Sequence, residues 1–271
     1  MTRSHSKKGS SRITHAQTIH TQFTCSRRTR WSSTYLISLL RRKQPILRPL
    51  RTCLNRPAPS SCRARAALGY TNQQMKICRE GQFSKSEIVD EAGKQQNATT
   101  RTSRSTSPPR DDVIRCIEER ARVFQGPDTD RQRLEPLQLV KYGQGEEYHT
   151  HTDWFESPSQ TTDEVGGNRA SSFFVYVTAR EVTGGGTNFP LLDAPAGEAW
   201  CALVNCDEPW EAGVTFRARP GNAVYWENLL PDGSGNRAVL HAGLPVTSGS
   251  KLGMNIWTRQ RALSPKYRGD D

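Results

Sequence analysis

The chain has 271 residues, a mean hydropathy of -0.73 and a formal net charge of +11. The charge is unevenly distributed, because Met1–Arg79 holds 17 of the 38 Lys and Arg but none of the 27 acidic residues. The sequence is therefore a basic N-terminal segment joined to a mildly acidic body. This distribution, without zinc-finger spacing or regular aromatic interleaving, argues against a nucleic-acid-binding protein.

Residues 1–67 form a basic leader rich in Arg, Ser and Thr. That composition fits a mitochondrial targeting segment, a disordered basic tail, or translated sequence absent from the natural protein. Its apolar run, Tyr35–Leu40, is too short to span a bilayer, which requires about 20 residues. We expect no transmembrane span and no packed core here, and we place the folded domain at residues 68–271.

The first elements of the body are expected to be a strand, a loop and a helix. Phe83–Val89 alternates loosely and predicts a strand, whereas Gly93–Arg110 predicts a polar loop. Asp111 or Asp112 then caps a helix that Gly126 and Pro127 end. Its apolar residues recur at helical spacing and predict packing on a sheet; they are Val113, Ile114, Ile117, Ala121 and Phe124.

After the helix, Gly, Pro and Asn divide the chain into short apolar runs. Seven strand candidates in about 120 residues, with almost no helical periodicity, predict a sandwich or a double-sheet barrel. They are Leu137–Tyr142, Phe173–Thr178, Trp200–Val204, Val214–Phe216, Ala223–Trp226, Val239–Val246 and Leu252–Trp257.

The cysteines form no recognisable framework. Seven are present, three of them in the leader, and none forms a CxxC pair, so the sequence indicates neither a zinc site nor a disulfide scaffold. Cys201 and Cys206 are five residues apart and would face opposite sides of one strand. We therefore expect two buried thiols, and the redox compartment stays open.

Three histidines lie in the body, at His149, His151 and His241. On an extended backbone the side chains of residues 149, 151 and 153 share a face, so His151 and Asp153 can bind one cation. His241, from a distant strand, would complete the two-His, one-carboxylate set of non-haem iron(II) oxygenases. Taken alone, a His-x-Asp pair is common, and an ordinary hydrogen-bonded pair is the simpler interpretation.

Lys251 gives the pattern a second charged position. It lies ten residues after His241 and opens the apolar run that ends at Trp257. A cation on that strand can reach the distal carboxylate of a bound dicarboxylic acid, although a solvated side chain is the alternative. The three ligands leave three positions open on an octahedral metal, two for a 2-oxo acid and one for dioxygen.

Four motifs in order carry a resemblance to a known family. They comprise a first metal segment (137–153), a Tyr strand followed by a Gly-Gly-Gly-Thr-Asn-Phe-Pro turn (176–190), a Pro-Gly-Asn-Ala strand (220–228) and a distal segment (241–257). The stretch from about Cys78 to Arg261 resembles the catalytic domain of prolyl 4-hydroxylases, which are iron(II)- and 2-oxoglutarate-dependent dioxygenases. The resemblance implies a mainly β domain with flanking helices around a double-stranded β-helix (jelly-roll, cupin-like) core.

The resemblance also assigns expected roles to residues. His151, Asp153 and His241 would bind Fe(II), and Lys251 would pair with the distal carboxylate of 2-oxoglutarate. Tyr142 and Tyr176 would donate hydrogen bonds to the cosubstrate. Trp257 would form a wall of the pocket, although it could also be a plain core aromatic. His149 has no family role, and we expect it to be a bystander, with a contact to the ligands or to the substrate as the alternative.

The implied activity is hydroxylation of an unactivated C–H bond, that of a peptidyl proline, with dioxygen as oxidant and L-ascorbate as reductant. Two alternatives are a small-molecule 2-oxoglutarate hydroxylase and a catalytically silent barrel used as a binding module. The retained Asp153, His241 and Lys251 argue against the silent barrel, whereas the lack of recognisable front elements argues for it. The resemblance favours the endoplasmic reticulum, the leader leaves mitochondrial or cytoplasmic locations open, and the sequence does not fix the oligomeric state.

Overall fold

The computed structural model describes residues 83–89, 95–96, 99–193, 198–209 and 212–269, together with the backbone of two strands at 17–20 and 35–38. The expectations for the rest of the leader lie outside the described residues. The boundary at residue 67 likewise remains a prediction.

The described elements are mainly strands. The strands are β1 (Gln17–His20), β2 (Tyr35–Ser38), β3 (Ser84–Lys85), β4 (Ile88–Val89), β5 (Gln95–Gln96), β6 (Arg104–Thr106), β7 (Gln138–Tyr142), β8 (Tyr148–His151), β9 (Arg169–Gly184), β10 (Thr187–Phe189), β11 (Val214–Phe216), β12 (Ala223–Glu227), β13 (His241–Gly243) and β14 (Val246–Arg259). The α-helices are α1 (Asp112–Gln125) and α2 (Pro265–Arg268).

Two sheets enclose the core. The larger has the order β1-β2-β12-β9-β14-β7-β6-β3, and the smaller has the order β11-β10-β13-β8. Side chains from both sheets form one buried cluster, which includes Tyr142, Tyr176, Phe189, Phe216 and Trp226. Each sheet joins strands that are distant in sequence, and the two sheets enclose this cluster between them. The arrangement is therefore a double-sheet barrel, and the predicted jelly-roll core is confirmed.

The long strand β9 is buried on both faces. Phe174 and Tyr176 point into the space between the sheets, whereas Phe173 and Val175 alternate to the other face and pack under α1. The ring of Phe124 on α1 meets that of Phe173 edge to face at 5.4 Å between centroids. This burial on two sides explains why the apolar run is continuous.

The helix begins and ends where the sequence predicts. The Asp111 carboxylate accepts hydrogen bonds from the backbone N–H groups of Val113 and Ile114, at 3.0 and 2.9 Å. Gly126 follows the last turn with a φ of +111°, which favours glycine. The predictions of an Asp cap, a Gly stop and packing on a sheet are all confirmed.

The segment around the two body cysteines differs from the prediction. Trp200–Val204 is not a strand, because a 3₁₀ turn at Glu198–Trp200 leads into a further turn. This turn brings the Cα atoms of Cys201 and Cys206 to 5.3 Å, and the two residues form a disulfide. The expectation of two thiols was wrong, since side-chain alternation holds only on an extended backbone.

Two other boundaries also differ. Phe83–Val89 forms two short strands rather than one, and the predicted polar loop 93–110 contains β5 and β6. β6 pairs with β7 and extends the large sheet. The Val239–Val246 run is divided among a 3₁₀ turn, β13 and the start of β14. Short polar strands are held by backbone hydrogen bonds, which do not depend on an apolar side-chain pattern, so the sequence does not indicate them.

The large sheet continues into the leader. β2 pairs in parallel with β12, with Val224 opposite Ile37 and Tyr225 opposite Ser38, and β1 pairs with β2. Within the described ranges, no helix combines the length and apolarity needed to cross a membrane.

Candidate active site

Three predicted ligands converge where β8 ends and β13 begins, at one edge of the small sheet. His151 ends β8 and His241 begins β13, and the two residues are direct cross-strand partners. Asp153 follows β8 by two residues. Its Oδ1 lies 3.8 Å from Nε2 of His151, and its Oδ2 lies 3.9 Å from Nε2 of His241. One ligand atom from each residue lies within 4.8 Å of the others, which is a spacing that one metal ion can bridge.

Both imidazoles are oriented by the backbone. Nδ1 of His151 lies 2.7 Å from the carbonyl of His149, and Nδ1 of His241 lies 2.9 Å from the carbonyl of Val239. A carbonyl only accepts, so each Nδ1 must carry the hydrogen. In a neutral ring with this hydrogen the lone pair is on Nε2, which is the nitrogen nearest Asp153 and the one that a metal would bind.

Burial and charge set the protonation of the group. Burial and the nearby His241 lower the pKa of His151 to about 3. Burial acts to raise the pKa of Asp153, but His241, His151 and Arg169 outweigh it and hold that pKa at about 2. At neutral pH His151 is therefore neutral and Asp153 is ionised. Two nitrogens and one carboxylate, with a negative charge, fit a divalent iron ion.

His149 lies apart from this group. Its side chain is half exposed, and its Nε2 lies 3.3 Å from Oε1 of Glu147. The side chain of His149 thus lies outside the group of three candidate ligands.

An aromatic cavity adjoins the three ligands. The ring of Tyr148 stacks on that of His151 at 3.6 Å, and Trp226 lies 4.6 Å from His241. Besides the ligands, the lining residues are Tyr142, Tyr148, Phe174, Thr187, Trp226, Gly243, Asn255 and Trp257. The predicted wall position of Trp257 is where the structure places this residue.

Lys251 lies behind this cavity as a buried cation. Its Nζ donates to the carbonyl of Gly185 at 2.5 Å and lies 4.3 Å from the ring centroid of Tyr142, its partner across the strands. Burial lowers the pKa of Lys251 to about 7, and no charged neighbour within the described part of the chain offsets this. Among the described side chains no carboxylate pairs with Lys251. An anionic carboxylate entering from the cavity would therefore complete its environment.

The two predicted tyrosines are placed differently. Tyr142 lines the cavity beside Lys251. The hydroxyl of Tyr176 instead lies 2.6 Å from Oγ1 of Thr187 and donates to the carbonyl of Phe216. Thr187 stands between Tyr176 and the cavity, so a direct contact of Tyr176 with a cosubstrate stays a prediction. Thr187 was missed, although it lies in the glycine-rich turn that the motif includes.

Sequence reasoning also missed two arginines behind the aromatic walls, the buried Arg101 and the partly buried Arg169. The guanidinium of Arg101 lies 4.8 Å from the ring centroid of Tyr148, and that of Arg169 lies 3.6 Å from the ring of Trp257. Arg169 is held by Glu135 at 2.8 Å. Neither arginine has a local pattern that distinguishes it from an exposed one, because long-range packing buries it.

Comparisons with known proteins agree with this geometry. Residues 137–259 match the family model of the 2OG-Fe(II) oxygenase superfamily. Probable prolyl 4-hydroxylase 10 of Arabidopsis thaliana is 31% identical over 182 residues, which are 65% of this chain and 60% of that protein. Prolyl 4-hydroxylase subunit alpha-2 of Gallus gallus is 30% identical over 166 residues, which are 60% of this chain and 27% of that protein.

Solved structures include a viral collagen prolyl hydroxylase from Paramecium Bursaria Chlorella virus-1 in complex with 2OG. It is 25% identical, has a TM-score of 0.45, and the match covers 58% of this chain and 78% of that one. The chain spans 60% or less of the length of the curated relatives that it matches. Over residues 137–259, the chain is thus similar to the 2OG-Fe(II) oxygenase superfamily.

Proposed function

We propose that this domain is an Fe(II)- and 2-oxoglutarate-dependent dioxygenase that hydroxylates a peptidyl proline, in the manner of procollagen-proline 4-dioxygenases. The observation that carries the proposal is that one cavity adjoins both a candidate binding site for a metal cation and a buried lysine that can bind an anion. The group of His151, Asp153 and His241 is built for a cation, and the buried Lys251 lacks an acidic partner among the described residues. The similarity to prolyl 4-hydroxylases supports proline as the target.

Each charged position has its own task. His151, Asp153 and His241 would hold Fe(II) by three positions and leave three for the cosubstrate and dioxygen. Lys251 would fix the distal carboxylate of 2-oxoglutarate by a charge-assisted hydrogen bond. The bound iron supplies the oxidising chemistry that no side chain can provide.

The aromatic walls would exclude water and orient the substrate. Tyr148, Trp226 and Trp257 surround the ligands, so a peptide that covers the opening would leave little room for solvent. The carboxylate of Asp153 occupies the position that related halogenases leave free for halide, and it therefore favours hydroxylation.

The reductant and the compartment are further parts of the proposal. L-ascorbate follows from the family resemblance, and we expect it to sustain turnover. The Cys201–Cys206 disulfide supports an oxidising compartment such as the endoplasmic reticulum, since such bonds persist there and are rare in the cytosol.

A coupled assay tests the proposal. The purified chain is incubated with Fe(II), 2-oxoglutarate and ascorbate, with either a proline-rich peptide or the same peptide with alanine in place of proline. We expect succinate release and the gain of one oxygen atom by the proline peptide alone. Succinate release that only small molecules stimulate would favour the small-molecule hydroxylase. Metal and cosubstrate binding without any succinate would favour the silent binding module.

A further inference from the structure

We propose that Ser172 and Asn228 are positioning residues that orient the Asp153 carboxylate, so that its Oδ1 alone is free to bind the metal. This inference rests on the proposed function, because it concerns the same metal site. The motifs and the ligand geometry assign no role to either residue.

The two oxygens of Asp153 have different surroundings. Oδ2 accepts a hydrogen bond from Oγ of Ser172 at 2.6 Å and another from Nε1 of Trp257 at 3.0 Å. Among the residues that the structure describes, no hydrogen-bond donor reaches Oδ1, which lies toward Nε2 of His151. With Oδ2 held by two donors, the carboxylate would bind a metal through one oxygen. A second bound oxygen would occupy a position that the cosubstrate or dioxygen requires.

Strand register explains why both donors reach the same oxygen. Ser172 on β9 is the direct cross-strand partner of Trp257 on β14, so their side chains leave the large sheet on the same face. Ser172 is also the cross-strand partner of Trp226 on β12. The large sheet thus carries the orienting groups, whereas the two histidines come from the small sheet.

Asn228 fixes the direction of the serine hydroxyl. Its Nδ2 donates to Oγ of Ser172 at 2.9 Å, and both side chains are fully buried. A hydroxyl has one hydrogen, so an Oγ that accepts from Asn228 must donate to Asp153. The reversed amide would compete for that hydrogen. Backbone hydrogen bonds hold Asn228 in place, from its N–H to Ala170 and from the N–H of Asn236 to its carbonyl.

Ser171 provides a matched control. It is the preceding residue on β9 and is also buried, but its hydroxyl donates to Oε1 of Gln125 on α1 at 2.7 Å. Ser171→Ala therefore removes a buried, hydrogen-bonded hydroxyl from the same strand without touching Asp153. Both serine variants should lose similar stability, and only Ser172→Ala should change the metal site.

The experiment is a titration of the metal-free full chain with Co(II), read by visible absorption, with thermal unfolding as the check on folding. We expect Ser172→Ala to bind Co(II) at least about tenfold more weakly, with an altered spectrum, because outer hydrogen-bond partners of ligands contribute about 10- to 100-fold to metal affinity. Ser171→Ala should bind like the wild type, and Ser172→Thr, which keeps the hydroxyl, should restore most of the affinity.

Asn228 is tested by a double-mutant cycle. Asn228→Ala should weaken Co(II) binding less than Ser172→Ala does, and the double variant should bind as weakly as Ser172→Ala alone, since Asn228 acts through Ser172. Additive losses would overturn the role of Asn228. If Ser172→Ala does not fold, Asn228→Ala alone decides, because Co(II) binding equal to that of the wild type would overturn the proposed positioning role.

The outcomes separate the inference from the proposed function. If the wild type binds Co(II) and Ser172→Ala binds it equally well, or if Ser171→Ala loses as much affinity, the inference is overturned and the proposed function stands. If the wild type binds no Co(II), both are overturned.

Discussion

Replacing single side chains at and near the metal site by alanine should have very different effects on turnover. We expect His151→Ala, Asp153→Ala and His241→Ala each to lower Fe(II)-dependent turnover by at least about 100-fold, since two protein ligands hold the metal poorly. His149→Ala should keep most of the activity, because its side chain is half exposed and contacts Glu147. Succinate release measures both. An inactive His149→Ala beside an active His151→Ala would reverse the ligand assignment.

Lys251 should determine cosubstrate affinity rather than metal affinity. Lys251→Ala leaves the carboxylate without its charged partner, a loss of about 1.5–3 kcal/mol, which raises the 2-oxoglutarate requirement by about 10- to 100-fold. Co(II) affinity should remain nearly unchanged. Lys266→Ala is the control, since this exposed lysine pairs with Glu164. An unchanged cosubstrate requirement would show that Lys251 is not the partner of the distal carboxylate.

The buried lysine also predicts a pH dependence. Below a pH of about 7 Lys251 is protonated in the free protein, and above it the neutral amine predominates. A bound dicarboxylate favours the protonated form, so binding above pH 7 must include proton uptake. The dissociation constant of 2-oxoglutarate should therefore be flat below pH 7 and rise by up to about tenfold per pH unit above it. Calorimetry from pH 6 to 9 measures this, and a wild-type profile as flat as that of Lys251→Ala would contradict it.

Among single residues, the sequence predicted the candidate site residues that stand at motif positions. His151, Asp153, His241 and Lys251 stand at motif positions, and the structure brings the three ligands together. Thr187 was overlooked in favour of Tyr176, because only the pairing of distant strands shows which hydroxyl faces the cavity.

The secondary-structure elements show where sequence patterns succeed and where they fail. Capping chemistry and helical periodicity located α1, and the continuous apolar run at 173–176 located β9. The strand predicted for the cysteine-containing segment was wrong. The apolar residues of Trp200–Val204 have the spacing of a strand, but a turn forms there. Short polar strands such as β6, which lies between β7 and β3, were not predicted because they are held mainly by backbone pairing.

The disulfide should stabilise its turn modestly. A loop this short limits the entropy removed from the unfolded chain, so we expect Cys201→Ser with Cys206→Ser to lower the free energy of unfolding by about 2 kcal/mol. Arg217 holds the same turn by donating to the carbonyls of Cys201 and Val204, at 3.2 and 2.9 Å, so the fold should survive. Urea unfolding measures the loss.

Two controls accompany that measurement. The reduced wild type should have the same free energy of unfolding as the double serine variant. Cys116→Ser should have the same free energy of unfolding as the oxidised wild type, since Cys116 is a free thiol on α1. Equal stability of the oxidised and reduced wild type would contradict a stabilising disulfide.

For the whole molecule, the chemistry is concentrated in one part of the chain. The four motifs, the three candidate ligands and Lys251 all lie downstream of residue 136, within the mildly acidic body. The leader contributes to the described fold only through the backbone of β1 and β2. Composition alone could not predict their pairing, because a four-residue apolar segment can extend a sheet edge without a periodic pattern.

The leader should be dispensable for folding and for ligand binding. β2 joins β12 at two residue pairs, whereas β9 pairs with the other edge of β12 at five. Because backbone hydrogen bonds contribute only about 1 kcal/mol each, removal of the leader should cost little stability. A chain that begins at Gly69 should therefore stay folded and bind Co(II) and 2-oxoglutarate like the full chain. Aggregation of this shorter chain, or protection of residues 35–38 from proteolysis in the full chain, would show that β2 is an integral strand covering an otherwise exposed sheet edge.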